Sequence, residues 1–143
     1  MKAIFLDIDG VLNKENWMLN GTPWLEEEKL DLISKLCKNT GANVVLSTNW
    51  REIWNEPMYV NDVNNGIHKA HKLFNKYDIQ VVGITPVFGA REDEISATLK
   101  NLEIDKFVVI DDTDLHIVNF VQTNKKVGFC KADYEKALSI LNT

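Results

Sequence analysis

Cysteine is nearly absent: Cys37 and Cys130 are the only two, far apart, and neither sits in a CxxC pair or at a Cys/His metal spacing. That excludes a disulfide framework and an ordinary zinc site, and fits two free thiols in a reducing cytoplasm. Long apolar runs are also missing. The opening MKAIFL is broken at Asp7, too short for a secretory leader, and nothing approaches the roughly 20 residues a membrane helix requires, so no membrane partner is expected and the mature chain is expected to begin at Met1. No basic cluster stands out, and a net charge of −5 argues against a broad electrostatic footprint for nucleic acid. Repeats, low-complexity tracts and linkers are lacking as well.

What is present is a chain of 143 residues, 45% hydrophobic and 26% charged, enough for one domain over 1–143 with a real core. Apolar runs alternate with helical periodicity, which predicts an α/β fold. Strands are expected at 3–6, 43–46, 79–84, 107–110 and 126–129, each short and rich in Ile, Val or Phe as buried parallel strands are. Helices are expected at 25–39, with Leu25, Leu32 and Leu36 on one face and Gly41 at its end, and at 66–77, 92–101, 114–123 and 132–141. This order predicts a doubly wound, Rossmann-like, five-stranded parallel sheet with helices on both faces. Ligands of such sheets bind at the carboxyl ends of the strands, near the switch point.

Polar residues gather at those ends. The first strand runs into Asp7-Ile8-Asp9-Gly10, the second into Ser47-Thr48-Asn49-Trp50-Arg51 and the fourth into Asp111-Asp112-Thr113-Asp114, while Arg91 opens the helix before the fourth strand in GAREDEI. Like charges packed at one pole are costly unless a cation neutralises them, so the acids imply a hard divalent ion, and Mg²⁺ is the natural choice.

DIDGV at 7–11, LSTN at 46–49, Arg91 and VIDD at 109–112 resemble the four ordered motifs of the haloacid dehalogenase (HAD) superfamily. The finer pattern FLDIDGVLN, VVLSTNWR, REDEI and VVIDD resembles the HAD-like domain of "Swiss Army Knife" RNA repair proteins, and more distantly the phosphatase half of phage polynucleotide kinase-phosphatase, over 2–129. The DD of the fourth motif, followed by Thr113 and Asp114, departs from the common GDxxxD. It leaves Asp111 and Asp112 both open as metal ligand beside Asp7 and Asp9, with the resemblance favouring Asp112. An acid at the second position of the first motif goes, in that family, with phosphatases and phosphomutases rather than dehalogenases.

The chemistry of the residues supports the same direction. A carboxylate at a strand tip can attack phosphorus in line, which makes Asp7 the candidate nucleophile of an aspartyl-phosphate route. Asp9 can protonate the leaving oxygen and then activate water. Charge on the transferred phosphoryl group calls for donors placed in advance: Mg²⁺, Ser47, Thr48 and Arg91, with Lys100 the alternative to Arg91. Arg51 and Asn49 are candidates for substrate contact, although Arg51 can equally pair with Glu52, Glu56 or another acid. His68, His71 and His116 read as surface residues.

Neither interval where a cap domain is inserted in larger superfamily members, after the first motif or between the second and third, has room for one, so the site is expected to be open. All four tryptophans, Trp17, Trp24, Trp50 and Trp54, lie in the two loops at the candidate catalytic pole. They read as loop anchors or as an entrance that stacks on a base. The leading expectation is a Mg²⁺-dependent phosphomonoesterase acting on a nucleotide or other small phosphate. The alternatives are a phosphatase for polynucleotide ends and a non-catalytic phosphate-binding or receiver-like module.

Overall fold

The N-terminal run KAIFL has almost no polar side chain to offer water, and it forms the central strand, Lys2–Leu6 (β1), with Ala3 to Leu6 fully buried. The computed structural model describes residues 1–19 and 24–143. After β1 come α1 (Glu27–Thr40), β2 (Asn43–Leu46), a 3₁₀ turn (Asn49–Glu52), α2 (Pro57–Val60), α3 (Gly66–Lys76), β3 (Val81–Ile84), α4 (Arg91–Asn101), β4 (Lys106–Asp111), β5 (Phe120–Gln122) and α5 (Lys131–Leu141). All strand pairs are parallel, in the order β3-β2-β1-β4-β5. The order reverses between β1 and β4, and this switch point opens a crevice at the carboxyl ends of those two strands.

The two faces of the sheet are covered unequally. On one, Ile4, Leu6, Val44, Leu46, Val108 and Ile110 pack against stripes from α1 (Leu30, Ile33, Leu36), α3 (Ile67, Ala70, Phe74) and α5 (Ala137, Leu141). On the other, Ala3, Phe5, Val45 and Val109 meet Ile95 of α4 and Leu115. Helix α1 ends where Gly41 takes the left-handed conformation (φ +78°) and its N–H returns to the Cys37 carbonyl. No separate cap domain occurs among the described residues, and no described helix is long and apolar enough to cross a membrane.

Four of the five expected strands and four of the five expected helices form within a few residues of the sequence reading; the region after β4 does not. The helix expected at 114–123 is absent, and the fifth strand lies at Phe120–Gln122 instead of 126–129. Leu115 and Ile117, two residues apart, face the same core, and the adjacent Phe120 and Val121 face opposite ones, so on either side of Asn119 (φ +57°) the spacing is that of extended chain rather than the 3.6 period of a helix. The connection 112–119 is shorter than a helical crossover requires. At 124–128 the chain turns back: Asn124 bridges Gly128, the Asn124 side chain accepts from the Lys126 N–H, and Gly128 sits at φ +79°. In α1 the buried stripe is Leu30, Ile33 and Leu36, with Leu32 only partly buried and Leu25 ahead of the helix.

Trp54 and His71 also differ from expectation. Trp54 is 2% exposed, stacks on His71 at 4.1 Å and tilts against Phe74 at 5.1 Å. The His71 ring bonds the Trp54 carbonyl and the His68 ring bonds that of Val60, each at 2.7 Å, so these imidazoles pin 54–60 onto α3 instead of standing free on the surface. Trp54→Ala should lower stability by about 3–5 kcal/mol, as for other buried Trp truncations, measured as a shift of the urea unfolding midpoint. A loss below about 1 kcal/mol would mean that Trp54 does not anchor the loop.

Candidate active site

The parallel register carries three polar side chains onto one spot. Leu6 pairs with Leu46 and with Ile110, so the next residues, Asp7, Ser47 and Asp111, stand side by side. The ladder continues through them: the Asp7 N–H donates to the Ile110 carbonyl (3.1 Å) and the Ser47 N–H to the Leu6 carbonyl (2.9 Å). By strand alternation they extend the Phe5, Val45 and Val109 face, the one covered by α4, whose first residue is Arg91. Asp7, Asp9, Thr48, Asn49, Arg91 and Asp112 share a cavity of about 240 Å³ with Thr113. Ser47 Oγ, buried beside it, has no hydrogen-bond partner among the described residues.

Arg91 is the organiser. Its guanidinium donates to Asp111 Oδ2 at 2.7 Å and to Asn49 Oδ1 at 3.1 Å, and lies 3.5 Å from Asp7 Oδ2. The alternative, Lys100, lies in the last turn of α4, roughly 13 Å further along at 1.5 Å per residue, and does not line the cavity. Carboxylate oxygens of Asp7, Asp111 and Asp112 fall within 4.8 Å of one another. Burial pushes the Asp7 carboxyl well above its ordinary value and neighbouring Asp111 pushes the same way, against Arg91 and the Ile8 N–H, which favour the anion. Asp112 is raised too, by burial first. Within the DD pair the two carboxylates differ in what already occupies them: Asp111 accepts from Arg91 on one oxygen and from the Thr113 N–H on the other. Asp112 instead leans over Gly10, where an added Cβ would lie 2.3 Å from its Oδ2. Gly10 has φ +78°, so both the conformation and the close approach require glycine.

Asp9 does not join the carboxylate cluster. Its Oδ2 accepts from the Trp50 indole N–H at 2.8 Å and its Oδ1 from the Asn13 amide at 3.0 Å, and the same Asn13 accepts from the Gly10 N–H and donates to the Trp24 carbonyl. Fully buried Asn13 thus ties the strand-end turn together, a role that the sequence FLDIDGVLN, which it closes, does not spell out. Its one signal there is a lone amide directly after the apolar pair Val11-Leu12.

A family model described as "HAD domain in Swiss Army Knife RNA repair proteins" matches residues 3–134. The chain belongs to this HAD family. Comparison with curated proteins and with solved structures gives no significant match. Membership implies phosphatase-type hydrolase chemistry, and HAD domains generally use a divalent metal, for which the three-carboxylate cluster supplies hard oxygen donors.

The remaining candidates of the HAD domain separate into those at the site and those that support it. Trp17, Trp24 and Trp50 form an edge-to-face series, with centroids 6.3 Å and 5.4 Å apart, along a second cavity that Asp9 also lines. Trp54 is in the core, not at the entrance, because His71 and Phe74 enclose it. Arg51 is not available to substrate either: it is engaged by Glu94 at 2.9 Å with both side chains buried, and it also donates to the Thr48 carbonyl. The other Glu94 oxygen accepts from the Phe88 and Gly89 N–H groups, so this acid joins the loop after β2 to the segment that leads into Arg91. In REDEI, Glu94 reads as one of several helix-surface acids, and only its partners in the fold mark it as buried.

Glu94→Ala leaves Arg51 buried and unpaired and should cost about 3–5 kcal/mol of unfolding free energy, whereas Arg51→Met combined with Glu94→Leu should recover most of it. Chemical denaturation of Glu94→Ala, and of Arg51→Met and Glu94→Leu singly and combined, checks this. Additive losses would show that the pair is not coupled.

Proposed function

We propose that this HAD domain is a Mg²⁺-dependent phosphomonoester hydrolase working through an aspartyl-phosphate at Asp7, with a nucleotide or other small phosphate as substrate. The observation that carries the reading is the convergence on one small cavity of a buried carboxylate at a strand tip, a guanidinium beside it and a second acid two residues on. The unpartnered Ser47 hydroxyl adds a donor suited to a phosphoryl oxygen.

In the first step an Asp7 oxygen attacks phosphorus while the bond to the leaving oxygen breaks and Asp9 supplies that oxygen with a proton. In the second, Asp9 takes a proton from water, whose oxygen attacks phosphorus and displaces Asp7, giving inorganic phosphate and the free carboxylate. Arg91, Ser47 and Thr48 hold the phosphoryl oxygens, and Asn49 orients Arg91 by accepting its second N–H. Asp7, Asp112 and the Asp9 backbone carbonyl would hold the metal, since the Asp111 carboxylate is already engaged by Arg91 and the Thr113 N–H. The cation's contribution is to offset the carboxylate crowding and the charge of the phosphoryl group.

A second reading, a phosphatase for polynucleotide ends, is favoured by the family's occurrence in RNA repair proteins and by the absence of a separate cap domain among the described residues. A receiver-like module is disfavoured because it would carry its phosphorylated acid at the end of β3, where this chain has Ile84-Thr85-Pro86. Phosphate release measured across nucleotides, sugar phosphates and 3′- or 5′-phosphorylated oligonucleotides decides between the substrates.

Asp7→Asn should abolish turnover, and Asp9→Asn should slow it by a factor on the order of 10²–10⁴. Wild-type rates in Asp7→Asn would overturn the nucleophile assignment. Chelation should silence the enzyme and Mg²⁺ restore it, with the metal dependence shifted more by Asp112→Ala than by Asp111→Ala in a Mg²⁺ titration of activity. Full activity after thorough demetallation would sink the metal assignment.

A further inference from the structure

In the proposed reaction the leaving oxygen of the ester takes its proton from Asp9, so the organic part of the substrate lies beside that carboxylate. That carboxylate lines three concavities: the 240 Å³ phosphate cavity, one of about 550 Å³ and one of about 800 Å³. The second carries Lys14 and Lys125, but Lys14 pairs with Glu26 at 3.5 Å and Lys125 with Glu15 at 3.4 Å, so its cations are already compensated. The third is walled by Trp17, Trp24, Trp50, Tyr59 and Leu73, with Asn65 at its side. A volume of this order and a mostly apolar, aromatic lining with few polar groups suit a small flat ligand. The Asn65 side-chain oxygen accepts from the Ile67 N–H, which leaves its amide N–H groups to meet an acceptor on the edge of such a ligand.

Trp50 belongs to both neighbourhoods. Its ring stands 5.4 Å from Trp24 in the aromatic wall, and its N–H donates to Asp9 Oδ2 at 2.8 Å. We infer that the aromatic cavity is the leaving-group subsite for a nucleoside, its base lying against the indoles, and that Trp50 is a positioning residue that joins base binding to the orientation of Asp9. The inference rests on the phosphatase reading and narrows its substrate class to base-bearing phosphates. A sugar phosphate offers the same phosphoryl group and leaving oxygen but no π-face for the wall.

The test compares adenosine monophosphate, esterified at whichever ribose position is hydrolysed, with the corresponding ribose phosphate, so that only the base differs. In the wild type kcat/KM should favour the nucleotide by about tenfold or more, and free adenosine should inhibit competitively where ribose does not. Trp24→Ala, or Trp24→Leu if the first is poorly folded by thermal melting, should reduce that preference several-fold, mainly through KM. Trp50→Phe keeps a ring in the wall but removes the N–H. Its loss in kcat/KM should be at least about tenfold greater for the nucleotide, whose alkoxide must be protonated as it leaves, than for p-nitrophenyl phosphate, whose leaving group needs little protonation. Equal kcat/KM for nucleotide and ribose phosphate, or a Trp24 variant with an unaltered ratio, overturns the subsite. Equal losses on both leaving groups in Trp50→Phe overturn the positioning role. A wild type that in Mg²⁺ hydrolyses neither these esters nor 3′- or 5′-phosphorylated oligonucleotides overturns the phosphatase reading itself, a failure distinct from the other two, and hydrolysis of the oligonucleotides alone overturns the mononucleoside subsite.

Discussion

Three carboxylates that approach within 4.8 Å of one another at the junction of β1 and β4 set the terms for everything around them. In bulk water such crowding costs little, but at a buried strand end each charge is poorly solvated and feels the others strongly. Arg91 is the side chain that answers it directly, close to both Asp7 and Asp111. It does so from the first residue of α4, a position where the helix dipole disfavours a cation. The placement makes sense only beside a concentration of negative charge, supplied here by the carboxylates and, in the proposed reaction, by a phosphoryl group. The same crowding explains Gly10, whose missing side chain is what lets Asp112 close over the turn after β1.

Holding Arg91 in that place is a task for the less heavily covered face of the sheet. Three helices pack on the other face, whereas here α4 and the extended segment around Leu115 cover Phe5, Val45 and Val109. The buried ion pair of Arg51 with Glu94 compensates by joining the β2 loop to α4. A buried pair of this kind adds little to stability over a well-packed apolar pair, but removing one partner is expensive, so it fixes where α4 starts more than it strengthens the fold. Its gain is geometric: the segment that delivers Arg91 is tied to the loop that delivers Thr48 and Asn49.

Much of this was legible in the sequence because it lies in strand ends. Four apolar runs specify the sheet and the polar residues at the carboxyl ends of three of them mark the pole at which Asp7, Ser47 and Asp111 meet, and the register of a parallel sheet then leaves their side-by-side placement little freedom. The illegible parts depend on tertiary partners. Ile117, Phe120 and Val121 are apolar enough for a helix or a strand, and only the short span from β4 decides for the extended form. Arg51 and Trp54 look like site residues because they follow the second motif closely. Glu94, distant in sequence, claims the first, while His71 and Phe74 claim the second. Asn13 and Glu94 were inside recognised motifs, but a single polar residue carries no sign of whether it faces water, substrate or a buried backbone group.

The 3₁₀ turn Asn49–Glu52 shows how a fold with no separate cap domain in view still builds a specific environment around Asp9. With about three residues per turn, consecutive side chains diverge by roughly 120°, so neighbours in sequence reach different walls of the same crevice. Asn49 turns to Arg91, Trp50 to Asp9 and Arg51 to Glu94. Thr48 fixes the start of the turn by accepting the Trp50 N–H. One short turn therefore couples the cation proposed to bind phosphate, the proposed proton donor and the buried acid that anchors α4. The three contacts issue from consecutive residues of one short turn, so the same backbone positions all of them. Loops of this length can then supply the positioning that an inserted domain provides in larger relatives, and they do so from residues that lie immediately after a strand of the core sheet.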